Sequence, residues 1–436
     1  MHTIKLPYGK RHLVLHVPSS VKYRLLEVKE PAPVAGFSAA LMRAVNHPVN
    51  SARFDSFFGR NDKIAVVIPD KTRRCPSDKV LDVVIRRLKG KGIDRKNITV
   101  ILARGSHSGH TSAEIRELVG PMAYRSVRIV DHDARNPDEL AYIGRTSRCT
   151  RVSINRHCAG ADKVIVVGAI GYHYYAGFSG GRKLILPGIS SYETIQQNHS
   201  LVLNKPPRKG KNPDACLGKL GGNPVNEDMA EAAELAGRGR IFSVNLALDS
   251  RDRVIGIFCG DIVDAHRRGC NFVDRIYRVP LKEKADFVIA SSGGWPTDVN
   301  FIQAHKAIEN ASYALKDNGR MLVLAECKEG IGSEIFLDWL KYSSTGRMES
   351  ELRRKFVVSG HTALCNLIKA KRFDIHFYSE LGDSLVRRLR FTPVGDIRKA
   401  LDILFRQMPD NARVFILPHG GNIRPFIDQD AFYPTR

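Results

Sequence analysis

Short runs rich in β-branched residues recur along the first half of the chain, with charged amphipathic stretches between them. Ile64–Ile68, Ile98–Leu102, Val127–Val130 and Val164–Val167 are the clearest runs. Segments this short and this apolar on both faces predict strands buried in a mostly parallel sheet. Ser77–Leu88, entered after Pro76, and Ser112–Leu118, with Ser112 as its cap, have helical spacing. The alternation around Pro7–Arg11 predicts a hairpin at the start of the chain. A second hairpin is expected from Ile241–Leu248 with Val254–Phe258. Asn204–Pro224 carries Pro206-Pro207, several lysines and Gly221-Gly222, and reads as a long surface loop.

After Arg278 the alternation resumes. Strands are expected at Phe287–Ala290, Met321–Leu324, Ile375–Tyr378 and Val414–Leu417, with helices at Ala307–Leu315 and Ile397–Arg406. At 436 residues the chain exceeds the usual size of one core. The expected fold is therefore α/β with two domains, each a mostly parallel sheet flanked by helices, and an active site in the cleft between them. The N-terminal domain is expected to span 1–278 and to be completed by 406–436, with 279–405 forming a C-terminal domain that closes over the substrate.

Composition narrows this only a little. Hydrophobic residues at 43% and charged residues at 26% are ordinary for a globular protein. No apolar run approaches the roughly 18–20 residues of a membrane span, and the N-terminal alternation does not resemble an apolar signal core. Eight cysteines lie scattered with no Cys-x-x-Cys pair. That spacing argues against a zinc knuckle, an iron–sulfur cluster or a disulfide framework, and favours reduced thiols in a cytoplasmic protein. The formal charge of +23 is the one anomaly. Its basic residues are spread as pairs such as Arg86-Arg87 and Arg387-Arg388, so a solvated basic surface that attracts anions is preferred over nucleic-acid binding.

The candidate chemistry collects just beyond strand ends, where ligands bind in open parallel sheets. Asp70-Lys-Thr-Arg73 follows the first run, Gly105-Ser-His107 the second, and Gly171-Tyr-His173 the fourth. Imidazoles on either side of a small substrate could remove and return a proton. Arg73 offers a planar two-pronged donor for a carboxylate. Asp70 could fix the tautomer of a histidine or simply begin a helix. Residues 171–199 also hold a glycine-rich turn, Lys183 and His199. The lysine loop lacks the Gly-Lys-Ser/Thr ending of a phosphate-binding P-loop. It is either a cofactor floor or an ordinary turn with a solvated Arg-Lys pair. Gln303 and Lys306, three apart on an expected helix, share a face that suits an anion or plain solvent.

The block His173-Tyr-Tyr-Ala-Gly-Phe-Ser-Gly-Gly-Arg-Lys183, continued through Leu186-Pro-Gly to His199, resembles the nickel-pincer lactate racemase family nearly end to end. Asp70-x-Thr-Arg73, Gly105-x-His107 and Gln303-x-x-Lys306 support the likeness. The resemblance implies a pyridinium-3,5-bisthiocarboxylic acid mononucleotide nickel cofactor (the nickel-pincer nucleotide), tethered to Lys183 through a thioamide. It further implies nickel ligation by His199, with Thr72, Gly180 and Gly181 in the cofactor site. His107 and His173 match the acid/base pair; Arg73, Gln303 and Lys306 match substrate-holding groups, with Asp70 beside them. The implied activity inverts C2 of a 2-hydroxy acid by hydride transfer through a 2-keto acid. The implied partners are a small anionic substrate and the enzymes that make the cofactor, with no nucleic acid or membrane.

The pattern departs from the family at several points. Arg74 stands where proline is usual, Ser108 where arginine is common, and Ile302 where the lactate enzyme has tyrosine. No tryptophan matches the one that shapes the family's pocket; Gly360-His361 falls there. Arg74 or Arg104 could receive a second carboxylate, favouring malate, and a less aromatic pocket could admit a sugar acid such as gluconate. The alternatives are a metal-dependent hydrolase built on His107, His173 and His199, and a basic nucleic-acid-binding protein. Oligomeric state is left open.

Overall fold

The computed structural model describes residues 1–427. It divides into two compact units, Glu30–Arg275 and a second made of Met1–Lys29 with Ile276 onward.

Within Glu30–Arg275 the apolar runs form one six-stranded sheet. Its order is Val254–Asp261, Ile241–Leu248, Lys163–Ile170, Ile64–Pro69, Ile98–Ala103, Arg128–Asp131. Neighbours are parallel except the first pair, an antiparallel hairpin. Every residue of Ile64–Pro69 is buried, which is why this strand reads as continuous rather than alternating. Each fully buried Val or Ile there contributes roughly 1.5–3 kcal/mol. The helix Ser77–Gly90 packs Val80, Leu81, Val84, Ile85 and Leu88 into the same core. The next helix is capped by Thr111 rather than Ser112: its hydroxyl accepts from the Glu114 amide and the Glu114 carboxylate accepts from the Thr111 amide. The two residues are neighbours, and only Thr111 has the extended backbone a cap requires.

The strand order has a functional consequence. From Ile64–Pro69 the chain adds strands on one side and then crosses to the other with Lys163–Ile170. These two neighbours mark the point where the winding reverses, which opens a crevice beyond their carboxyl ends.

The second unit holds a six-stranded sheet whose neighbours are all parallel. Its order is Thr392–Pro393, Asp374–Tyr378, Leu315–Leu324, Ala285–Ser291, Val414–Leu417, Tyr23–Leu25. This arrangement corrects two domain assignments. The N-terminal hairpin buries Ile4, Leu6, Tyr8, Leu15 and Val17 in the core that holds Phe287, Leu322 and Ile416. Strand Val414–Leu417 pairs directly with Ala285–Ser291, and Arg424–Ile427 pairs with Arg278–Leu281. Residues 1–29 and the described part of 406–436 therefore complete the second unit, not the first. Residues 428–436 lie outside the described residues. Apolar pattern identifies a strand but not its partner, and the partner decides the domain. Among the described residues no helix is long and apolar enough to cross a membrane.

Candidate active site

The segment after Ile64–Pro69 delivers Asp70, whose side chain is almost fully buried. Its Oδ2 lies 2.7 Å from His107 Nδ1, and Thr72 Oγ1 donates to its Oδ1 at 2.8 Å. Burial pushes the Asp70 carboxyl up, but the His107 hydrogen bond and charge, then Arg73 and Thr72, outweigh it and hold the group below the usual carboxylate range. An ionised Asp70 accepts the Nδ1 proton and leaves the His107 Nε2 lone pair outward. The side chain of His107 is 46% exposed, as a proton carrier in exchange with solvent needs. Arg73 is exposed, and among the described residues its guanidinium makes no hydrogen bond.

A second cluster follows Lys163–Ile170. Residues Tyr172–His173 and Gly177–Phe178 form a tight hairpin that carries His173, whose Nδ1 accepts the Ala176 amide at 3.2 Å. The neutral ring therefore carries its proton on Nε2. Tyr175, buried at the turn, is the hub of this cluster. Its ring meets His173 edge-on at 4.5 Å and His199 at 5.3 Å, and Lys183 Nζ lies 5.7 Å from its centroid. His199, on helix Tyr192–Ser200, is 4% exposed. Its Nδ1 lies 3.1 Å from Asn198 Oδ1. Burial, with the Lys183 charge beside it, pushes its pKa down to about 3 against the pull of the Ile195 carbonyl. His199 is thus a neutral imidazole, the form that binds metals.

The floor is held from behind. The Gly181 amide donates to Asn245 Oδ1 at 3.0 Å. His266 Nε2 donates to the Ser179 carbonyl at 2.8 Å, and its Nδ1 accepts from Arg182 Nη1 at 2.7 Å. Gly180 and Gly181 both have positive φ, and a Cβ would press on Ala169 and Ile170 or on His266. Internal packing therefore accounts for both glycines. Arg182 is 4% exposed, yet its Nε and Nη2 make no hydrogen bond. Burial lowers its pKa to about 10.

The two clusters sit beyond three adjacent strands and are tied by the Gly105 amide, which donates to Gly188 O at 2.9 Å. His107, His173 and His199 do not gather as a three-ligand metal group; among the described residues no three His, Cys, Asp or Glu side chains do. Gln303 and Lys306 belong to the other unit, on helix Phe301–Ala311, where Lys306 Nζ donates to Gln303 Oε1 at 2.7 Å. Arg74 is paired with Asp252 at 2.9 Å, and Arg104 lies against Asp131 and Asp133 at 3.5 and 3.4 Å. Gly360 leaves room for the indole of Trp339, which a Cβ would strike. Sequence reasoning gave no role to Tyr175, Asn198, Arg182, Asn245 or His266. The first three lie inside the singled-out block, where an aromatic beside His173 was a usable signal; the last two are distant in the chain.

The chain matches the lactate racemase N-terminal domain family over residues 8–210 and the lactate racemase C-terminal domain family over residues 281–423. It is 30% identical over 434 residues to a lactate racemase of Thermoanaerobacterium thermosaccharolyticum, covering 97% of this chain and 99% of that protein. To a lactate racemase of Lactiplantibacillus plantarum it is 32% identical over 339 residues, 77% of each. The lactate racemase apoprotein structure from Thermoanaerobacterium thermosaccharolyticum superposes with a TM-score of 0.87 at 29% identity, over 97% of this chain and 100% of that one. A Thermotoga maritima protein of 16% identity shares the fold, with a TM-score of 0.67 over 92% of this chain and 100% of that one. The chain belongs to the lactate racemase family.

Proposed function

We propose that this protein is a racemase or epimerase of a 2-hydroxy acid, with a lactate-type acid as substrate and a nickel-pincer nucleotide tethered to Lys183. The observation that carries the reading is the meeting of His173, Lys183 and His199 on the ring of Tyr175, beside the Asp70–His107 pair. Both named relatives are lactate racemases.

The residues present fit such a cofactor. His199 offers one neutral nitrogen, which suits nickel in a planar mixed-donor set. A metal bound there has to bring its remaining donors with it, and a pincer does so. Lys183 stands beside His199 as the tether. When bound, the cofactor supplies a reversible acceptor for the C2 hydride.

The chain's own groups do the rest. Arg73 holds the substrate carboxylate. His107 takes the hydroxyl proton at Nε2, and Asp70 stabilises the imidazolium that results. His173 presents its Nε2–H to the substrate oxygen. Serving in turn as base, it gives up the Ala176 hydrogen bond so that Nδ1 can carry the proton. The flat 2-keto acid then turns over, and its oxygen takes a proton from the other imidazole, which has to enter as the imidazolium; for His173 that means a proton on Nδ1 as well as Nε2 and loss of the Ala176 hydrogen bond.

The test is to produce the chain with the enzymes that make the cofactor, offer enantiopure 2-hydroxy acids, and follow them by chiral chromatography. Either lactate enantiomer should relax to an equal mixture, and intact mass should show an increment lost in Lys183→Ala. A loaded protein that interconverts no acid of the panel overturns the activity. The same increment on Lys183→Ala overturns the tether.

A further inference from the structure

Behind His199 runs a chain of hydrogen bonds that the reaction as described does not use. Asn198 Nδ2 donates to the Val225 carbonyl at 3.1 Å and to Asp228 Oδ2 at 2.8 Å. A backbone carbonyl only accepts, so this contact settles which end of the Asn198 amide is nitrogen. The oxygen end therefore faces His199, and Asn198 Oδ1 lies 3.1 Å from its Nδ1.

Asp228 anchors the amide in turn. It is fully buried on helix Pro224–Leu235 and receives Thr146 Oγ1 and Thr150 Oγ1 as well as Asn198. Thr146 Oγ1 already accepts the Thr150 amide at 3.1 Å, so its own proton is committed to Asp228. Asp228 is thus held by three donors that cannot reverse without orphaning a buried group, at about 1–3 kcal/mol each.

We propose that Asn198 and Asp228 are positioning residues that fix the His199 imidazole as the Nδ1–H tautomer and so leave its Nε2 lone pair as the one available to a metal. The metal part of this statement rests on the proposed role of His199 as the nickel ligand. In the alternative, with the proton on Nε2, Nδ1 and Asn198 Oδ1 would face each other lone pair to lone pair inside the protein. A second group that fixes the tautomer of a metal-bound histidine typically changes metal affinity by about 10–100-fold.

The decisive measurement is made on the apoprotein. Two-bond nitrogen–proton correlation spectra of histidine-labelled protein, with His199 assigned by its loss in His199→Gln, should show a single Nδ1–H form. Asn198→Ala should move the proton wholly or partly to Nε2, and Asp228→Asn should do so to a smaller degree. In cofactor-loaded protein, Asn198→Ala should surrender nickel to a chelator about 10–100-fold faster while keeping the Lys183 mass increment. A proton on Nε2 in the unsubstituted chain overturns the proposal, whether or not any variant folds. So does an Asn198→Ala protein with an unchanged tautomer. If the unsubstituted chain shows the Nδ1–H form yet takes up neither nickel nor cofactor mass, the parent reading fails while the tautomer result still decides the positioning claim.

Discussion

His107 and His199 belong to one unit of the chain, and their surroundings are opposites. His107 is nearly half exposed and rests on a buried carboxylate; His199 is 4% exposed and rests on a neutral amide beside a lysine. A carboxylate partner stabilises a protonated ring, whereas burial beside a cation favours the neutral one. One side chain type thus sits in a wet corner beside a carboxylate and in a dry one beside a cation, and the proposed tasks of proton carrier and metal ligand divide along the same line. The difference lies entirely in partners that residue type alone does not disclose.

The largest break in this contrast should come from Asp70→Asn. An amide placed against His107 can donate instead of accept, and so drives the proton to Nε2 and removes the base. In the loaded enzyme kcat should fall on the order of 10³–10⁴-fold, as when an orienting carboxylate is lost from a catalytic histidine, with the nickel content unchanged. Nickel loss in parallel with kcat would show that the two corners are not separate. Acid titration sharpens the same point. The native Asp70 pKa is depressed, so its contribution to stability is present above the unfolded value and lost as pH falls through the folded one. Asp70→Asn and the parent chain should differ in stability near neutrality and converge in strong acid.

The dry side should respond to acid over a different window. His132, buried with Nε2 donating to the Ser190 carbonyl just before the His199 helix, has its pKa pushed by burial to about 4. The unfolded chain binds that proton near 6.5, so stability declines as pH falls from about 6.5 to about 4, by about 1.4 kcal/mol per pH unit. Buried His266 adds a slope of the same sign. Denaturant titration of the apoprotein should show this loss, and His132→Gln should flatten it. A flat profile in the parent chain would mean that these rings take up protons as readily in the folded chain as in the unfolded one.

Tyr175 tests whether the dry corner is one unit. Tyr175→Phe keeps the ring on which His173, Lys183 and His199 meet, and should keep nickel retention. Tyr175→Leu should cost about 1–3 kcal/mol and loosen nickel retention. Equal behaviour of the two variants would remove the hub.

Much of this was legible in the chain. The strands of the first sheet and the four central ones of the second stand out as apolar runs, whereas the short edge strands Tyr23–Leu25 and Thr392–Pro393 do not; three of the runs end on Asp70, His107 and His173 because parallel sheets present their carboxyl ends to ligands. The Lys183–His199 block is local, so spacing alone brings its members near one another. What did not show was pairing across distance. Val414–Leu417 reads as a strand, but nothing in it names Ala285–Ser291 as its neighbour, so pattern alone leaves the final segment free to join either domain. Asp228 reads as a helix acid until its three buried donors are seen. Thr111 and Ser112 are chemically near-equivalent caps, separated only by backbone geometry.

The smallest expected effect separates neighbouring arginines. Arg74 and Arg104 stand where a second carboxylate could be read, yet each already faces an acid of the chain: Asp252 for Arg74, Asp131 and Asp133 for Arg104. Burial raises the Asp252 carboxyl and Arg74 draws it back down, so taking Arg74 for a substrate would leave that acid uncompensated. Arg73 carries no such commitment. Arg73→Ala should therefore raise KM for every acid accepted. Arg74→Ala should lower stability by about 1 kcal/mol or less and scale turnover of lactate and malate alike, within about twofold. A selective loss of malate turnover in Arg74→Ala would mean that its bond to Asp252 opens in the working enzyme, and would reassign that guanidinium from the scaffold to the substrate.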